Sequence, residues 1–463
     1  QAVASGALAS GDTVIVNADG TVSVVAGSDQ AVGSAVVFEA GFTQSTSAAF
    51  DSNSNKVVIA YTDRGNSYYG TAVVGTVDPS DNSISFGTPV IFYNTYGTDY
   101  NSITFDSNSN KVVIAFQETG NGTGMAIVGT VSGTSISFGS SSNFDSGVAV
   151  TVISATFDSN SNKVVIAYKD GNNSNYGTAI VGTVSGTGIS FGTAVVFESA
   201  STLYVATTFD SNSNKVVIAY RDNVPDYGTA IVGTVSGTNI SFGTAVVYNT
   251  ASSNWTSATF DSNSNKVVIA YRDGGNSDHG TAIVGTVSGT GISFGTAVVF
   301  ESAATSEPKA VFDSNANKVV ISYVDGGNSY YGTIITGTVS GTSISFDPSL
   351  VFEQATTDMF GSCFDSSNNK TVVSYRDQGN GLKGTSVVYS SASTNLTAEN
   401  YIGIASNGYA TGQAATINAK GFIDDNQSSL TAGQSYYVQT NGDLGLTAAD
   451  PSVFAGTAVS ATK

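Results

Sequence analysis

Certain positions recur along this chain and carry residue types able to do chemistry. An acidic side chain stands at Asp63, Glu118, Asp170, Asp222, Asp273, Asp325 and Asp377. A ring of such carboxylates would offer oxygen ligands to Ca²⁺ or acceptors to sugar hydroxyls. The plainer expectation is that each accepts backbone N–H bonds from its own loop, as Asp does at loop starts. A second motif, Asp-x-Asn-x-Asn, appears at Asp158, Asn160 and Asn162. It begins like a calcium loop but lacks the following Gly and the distal Glu that such a loop needs, so an Asx-turn with a solvated Lys is expected. No cofactor is expected, with Ca²⁺ the one ion left open.

Two further columns hold aromatic rings. Tyr69, Thr123, Tyr176, Tyr227, His279, Tyr331 and Lys383 each precede a Gly. Their rings would either stack on a sugar or cover a neighbouring sheet. The single His occupies a slot usually held by Tyr, which makes it a poor catalytic base. Five residues ahead of each recurring Phe-Asp come Ser45, Tyr100, Val152, Tyr204, Trp255, Glu307 and Met359. Here Tyr100, Tyr204 and Trp255 are large amphipathic rings suited to ligand contact. Arg221, Arg272 and Arg376 share another slot, and three arginines invite comparison with the carboxylate clamp of sialidases. The Asp-box of those enzymes, with its Trp after the Asp-Gly-Thr turn, is missing. Cys363 fills a small-residue slot and is not read as a nucleophile. The chain is therefore expected not to be an enzyme, and its ligand-binding candidates are Tyr69, Tyr100, Tyr176, Tyr204, Tyr227, Trp255, His279, Tyr331, Arg221 and Arg272.

The elements that position these residues are copies of one unit. Phe-Asp-Ser-Asn-Ser-Asn-Lys-Val-Val-Ile-Ala-Tyr starts at Phe50 and returns with small changes at Phe105, Phe157, Phe209, Phe260, Phe312 and Phe364. The spacings are 55, 52, 52, 51, 52 and 52 residues. A fixed period of this length marks a repeat architecture. Each unit reads as four strands rich in Val, Ile, Thr, Phe and Tyr, separated by Gly, Asn, Asp and Ser turns. In the fifth unit these are strand a at Thr256–Phe260, b at Lys266–Asp273, c at Gly280–Val287 and d at Ile292–Glu301. Strand b is apolar on both faces, as a sheet sandwiched between neighbours requires. The fold class expected is all-β: a seven-bladed β-propeller of four-stranded blades. The last unit lacks strand d and the chain start has one to spare, so Ser34–Glu39 should complete the blade made by Phe360–Ser390. Residues 34–390 form the propeller on this reading. Residues 1–33, with a hairpin turning at Asp19-Gly20, and residues 391–463 should fold together as a small β domain. Its expected strands include Ala414–Ile417, Ser435–Gln439 and Ala455–Ser460.

Comparison among the units separates two rims. The a–b turn is Phe-Asp-Ser-Asn-Ser-Asn in five of seven copies, and its Lys recurs in all: Lys56, Lys111, Lys163, Lys215, Lys266, Lys318 and Lys370. The b–c loops and d–a connections of the opposite rim differ strongly. Turns that do one job everywhere can stay identical, whereas loops that touch an asymmetric ligand cannot. The variable rim is the expected binding face, and both termini are expected to leave from the uniform one.

Composition narrows the partners. The 463 residues carry Lys+Arg 16 against Asp+Glu 35, a formal net charge of −19. So acidic a chain repels nucleic-acid phosphates. One Cys and one His permit neither a disulfide framework nor a tetrahedral Cys/His metal site, and no apolar run approaches the length of a membrane helix. The chain starts at Gln1 without Met or a signal-like stretch, consistent with a trimmed or processed form.

The closing segments Asn395-Leu-Thr-Ala-Glu-Asn-Tyr-Ile-Gly-Ile404, Leu430-Thr-Ala-Gly-Gln-Ser-Tyr-Tyr-Val-Gln-Thr440 and Pro451-Ser-Val-Phe-Ala-Gly-Thr-Ala-Val-Ser-Ala-Thr-Lys463 resemble the ends of tail-fibre and other virion proteins of marine bacteriophages, particularly those infecting cyanobacteria. The Phe-Asp-Ser-Asn-Ser-Asn-Lys repeat is similar to propeller repeats in such phage-encoded chains. The resemblance implies a virion appendage, assembled in the host cytoplasm, with a particle-bound end and a host-facing propeller. It implies as partners other virion proteins, through the terminal β domain, and a host-surface glycan or protein. It transfers no catalytic residue and leaves homo-oligomerisation open. A cellular surface adhesin or filament subunit, and a glycan-active enzyme, are the alternatives.

Overall fold

The computed structural model describes residues 2–147, 149–449 and 451–463. Gln1, where a processed start is expected, lies outside them. The fold is all-β: among the described residues there is no α-helix, only a single 3₁₀ turn at Arg64–Asn66. None of these residues forms a helix long and apolar enough to cross a membrane. The chain divides into two compact units, Gln1–Ala31 with Ala392–Lys463, and Val32–Ser391.

Within Val32–Ser391 the repeat dictates the pairing. In the fifth copy, strand a at Ser253–Asp261 pairs antiparallel with b at Lys266–Asp273, and b pairs with c at His279–Ser288. The side chains of b alternate between two interfaces. Val268 and Ala270 pack with Val319 and Ile321 of one neighbour, while Val267, Ile269 and Tyr271 pack with Val217, Ala219 and Tyr248 of the other. This is the period of two of a strand buried on both faces.

The expected strand d is two strands. Gly291–Phe294 pairs with the far half of c, and the strand beginning at Val298 pairs with its near half. The break falls at Gly295, where an added Cβ would lie 1.9 Å from the Thr342 carbonyl oxygen of the next copy. Backbone meets backbone there, and only a residue without a side chain fits.

The a–b turns show why their Asn is kept. Asn265 has φ +56° and its counterparts lie within a few degrees of that value, a left-handed conformation that Asn tolerates better than most residues. Asp261 opens the turn by accepting from the Asn263 and Ser264 amides at 2.8 and 3.0 Å and from the Ser264 hydroxyl at 2.7 Å. The expected Asx-turn is therefore present.

The chain start supplies the missing strand. Val36, Val37, Glu39 and Phe42 pair with Ser386, Thr385, Gly384 and Lys383. The replacement begins slightly earlier than Ser34: Gly33 donates to the Val388 carbonyl at 2.9 Å, and its added Cβ would lie 1.8 Å from the Asn82 carbonyl oxygen. Gly33 thus does for the last copy what Gly295 does for the fifth. The strand Leu350–Asp365 packs against Val36–Asp51.

In the terminal unit, Thr13–Val16 lies between Val22–Val24 and Tyr401–Ala405, so segments from the two chain ends share one sheet. The Asp19-Gly20 hairpin is present, with Gly20 at φ +81°. Strands form at Ala414–Ala415 and Ile417–Ala419, at Ser435–Val438, and at Val453–Thr457. The last begins before the expected Ala455 because Val453 pairs with Val438, and it ends before Ser460 because Ala458 turns to bond Gly433 and Gln434. Ile15, Leu396, Tyr401, Val438 and Val453 form its core.

Candidate ligand-binding rim

The column five residues ahead of each Phe-Asp has one unusual backbone conformation. Ser45, Tyr100, Val152, Tyr204, Trp255, Glu307 and Met359 all have positive φ, between 47° and 54°. Each sits where the a–b pairing skips, for example between Asn254 and Ser257. These are β-bulges, which re-aim a side chain out of the sheet. Left-handed φ is costly for bulky and β-branched residues, so packing must impose it.

The bulges bring three of the expected residues together. The Tyr204 and Trp255 rings lie 5.8 Å apart, tilted by 50°, and the Arg272 guanidinium carbon lies 5.0 Å from the Trp255 ring centre. Arg272 is ion-paired to Asp278, and this hydrogen-bonded pairing holds the Asp278 carboxyl below the usual carboxylate range. Its Nε is buried without a hydrogen-bond partner. Arg221 pairs with Asp226 and reaches Asn254 Oδ1, next to Trp255. Tyr100 is 39% exposed and stands apart, its amide bonded to Ser45 Oγ at 3.3 Å.

The other expected residues are not gathered. Tyr69, Tyr176, Tyr227, His279 and Tyr331 are half-buried, one per repeat, each directly opposite the acidic residue that ends strand b. Those acids are engaged by their own loops. Asp63 accepts from Asn66 N at 3.0 Å, Asp222 from Val224 N at 3.0 Å, Asp273 from Gly275 N at 3.0 Å and Asp325 from Gly327 N at 2.9 Å. Burial foremost, then the charge of Glu39, pushes the Asp63 carboxyl up; burial and Asp145 do the same to Asp170. Among the described residues no three His, Cys, Asp or Glu side chains are grouped to hold a metal ion. The arginine slot is not a free carboxylate clamp, because Arg376 is also taken, by Asp358. Cys363 is buried and its thiol is pushed up by that burial.

Sequence reasoning missed several rim residues. Tyr68 and Tyr330 precede Tyr69 and Tyr331 and are the exposed members of each pair, at 45% and 57%, with φ +61° in both. Arg64 lies 4.1 Å from the Phe42 ring centre and donates to the Tyr68 hydroxyl at 2.9 Å, while Arg376 lies 4.9 Å from the same Phe42 ring. The signal was the Asn-Ser-Tyr-Tyr doublet, of which only the second Tyr fell in a repeated column.

No family model matches the chain, and no curated protein matches it. Among solved structures it is similar to the β-propeller domain of Myceliophteria thermophila Cps50 (Swd1), at 8% identity and a TM-score of 0.49, over 77% of this chain and 99% of that one. It is also similar to AofleA from Arthrobotrys oligospora, at 10% identity and a TM-score of 0.41, over 72% of this chain and 93% of that one.

Proposed function

We propose that this chain is a virion appendage protein of the phage tail-fibre type: a seven-bladed β-propeller, closed by its N-terminal strand, whose variable rim attaches to a host-surface glycan or protein. The small β domain built from the two chain ends engages other virion proteins. The observation that carries the attachment role is Trp255, flanked by the Tyr204 ring and the Arg272 guanidinium. A flat aromatic face receives the C–H face of a sugar, and guanidinium and carboxylate groups beside it receive hydroxyls. Support for the ring comes from Val36–Phe42, which pairs with Lys383–Ser386 as the outer strand of another copy pairs with its own strand c, and from Gly33, which meets Asn82 as Gly295 meets Thr342.

The test is adsorption to host cells and binding to a glycan array. Trp255→Ala with Tyr204→Ala should reduce both at least tenfold, while Asn263→Ala, in a uniform turn, leaves them unchanged. Equal losses from the two variants would contradict the face assignment. Recovery of the chain from purified virions at a defined copy number tests the virion assignment, which fails if the protein occurs only in uninfected cells.

A further inference from the structure

The b–c loop position directly before Tyr69, Tyr227 and His279 carries Tyr68, Asp226 and Asp278, all three left-handed, with φ +61°, +78° and +63°. In the fourth and fifth copies this position turns a carboxylate onto an arginine, Asp226 onto Arg221 and Asp278 onto Arg272. In the last copy Arg376 is held by Asp358. The first copy departs from this pattern. Its arginine is Arg64, and the loop brings it the phenol of Tyr68 in place of a carboxylate. Of the four arginines in the chain, Arg64 is the one with no carboxylate within ion-pair distance among the described residues.

Arg64 is nonetheless held in place. It opens the 3₁₀ turn Arg64–Asn66, which Asp63 caps by accepting the Asn66 amide at 3.0 Å. Its guanidinium carbon lies 4.1 Å from the Phe42 ring centre and 4.9 Å from that of Tyr68, and Nη2 donates to the Tyr68 hydroxyl at 2.9 Å. Nε is buried, so the two Nη atoms are the edge left for a ligand. Nη1 meets no acceptor among the described residues. The acids nearby are already engaged: Asp358 takes Arg376 and Gln378, and buried Asp63 serves its own turn.

We propose, resting on the reading of the variable rim as the attachment face, that the corner of Arg64, Phe42 and Tyr68 is a second attachment subsite, which takes the carboxylate of a uronic-acid residue in a host-surface glycan. The Nη atoms of Arg64 donate to the two carboxylate oxygens, a charge-assisted fork. The Tyr68 ring, 45% exposed, receives the apolar face of the sugar. Because Phe42 and Tyr68 already fix the guanidinium, little side-chain freedom is lost on binding. The net charge of −19 does not prevent this contact at physiological salt, where charges farther than about 8 Å are largely screened. One free cation beside one exposed ring fits a single acidic sugar. A run of acidic peptide residues would need further cations, and Arg376, the other one at this corner, is already paired.

The test is an array of uronate-containing glycans printed beside the same glycans with each carboxyl reduced to an alcohol, probed with the full chain at physiological salt. The uronates should bind about tenfold or more tightly than their reduced partners, and Arg64→Gln should erase that preference. Arg64→Lys, which keeps the charge but loses the fork, should retain only part of it. Absence of any preference for a uronate in the unmodified chain, or a preference that survives in Arg64→Gln, overturns the proposal. Equally tight binding of polyglutamate overturns the sugar assignment. Host-cell adsorption of Trp255→Ala with Tyr204→Ala tests the other reading by itself, so loss of adsorption there without a uronate preference sinks the Arg64 subsite alone, and a uronate preference without that loss sinks the Trp255 role alone.

Discussion

The ring of Phe38 lies 5.2 Å, centre to centre, from the ring of Tyr61. Phe38 belongs to the strand that pairs with Lys383–Ser390, and Tyr61 to the strand b of the first repeat. The same aromatic contact joins Phe92 to Phe116, Phe197 to Tyr220, Phe300 to Tyr323 and Phe352 to Tyr375, at 5.2 or 5.3 Å. The seam closed by the chain start is thus packed like the junctions between covalently consecutive repeats. Phe38→Ala should cost about 3 kcal/mol or more, the usual penalty for emptying a buried aromatic site, read as a lower urea midpoint. Deleting residues 1–40 should leave an open, aggregation-prone ring. A deletion variant that melts cooperatively at the original temperature would contradict the closure.

Glycines at two kinds of position should respond differently. At Gly33 the obstacle is the Asn82 backbone, which cannot move aside as a side chain tip can. At Gly133 nothing lies within 4 Å, and the only penalty for a side chain is the left-handed φ of +60°. Gly133→Ala should therefore cost roughly 1–2 kcal/mol. Gly33→Ala should cost clearly more, and chemical denaturation of the two variants side by side checks the order.

Val152 is the β-branched member of the bulge column, held at φ +53°. Asn tolerates that conformation, so Val152→Asn should stabilise the protein by up to about 1 kcal/mol, since the side chain is only partly buried. A fall in melting temperature would mean that packing of the Val152 side chain against the neighbouring core outweighs its backbone strain.

Four buried tyrosines donate to a Glu one strand away: Tyr61 to Glu39, Tyr220 to Glu198, Tyr323 to Glu301 and Tyr375 to Glu353, at 2.9 to 3.1 Å. Tyr323→Phe leaves the Glu301 oxygen without that donor and should cost roughly 1–3 kcal/mol. The corresponding change at Tyr271, which has no Glu in that place, should cost less. Equal losses measured by urea unfolding would remove the special role of the Tyr–Glu bond.

Asp63, Asp170 and Glu307 are all pushed above their ordinary carboxylate values, chiefly by burial. Each binds its proton more tightly in the folded than in the unfolded chain. The resulting stabilisation is complete below the unfolded value and is lost as pH rises through the folded value. Asp278, lowered by Arg272, has the opposite sign and loses its contribution only at more acidic pH. The urea midpoint should therefore rise on going from about pH 7 to about pH 5, and Asp63→Asn should flatten part of that rise. A superimposable pH profile for the variant would contradict the assignment.

Strand content, the repeat and its register of apolar residues were legible in the sequence, because they follow from local propensity and a side-chain period of two. The chemistry of the turns was legible too: Asp261 caps its own loop and Asn265 accepts a left-handed φ for reasons contained in a few adjacent residues. The bulges at Tyr204 and Trp255 were visible only as a column of mismatched residue types. Their positive φ is imposed by packing across the sheet, which no local pattern encodes. Arg221, Arg272 and Arg376 share a slot that invites comparison with a carboxylate clamp, and only the fold brings Asp226, Asp278 and Asp358 onto them. Arg64 gave no signal at all, being one basic residue among 16. Its position between Phe42 and Tyr68 depends on a strand and a loop from separate stretches of chain meeting in space, and only the tertiary structure decides that.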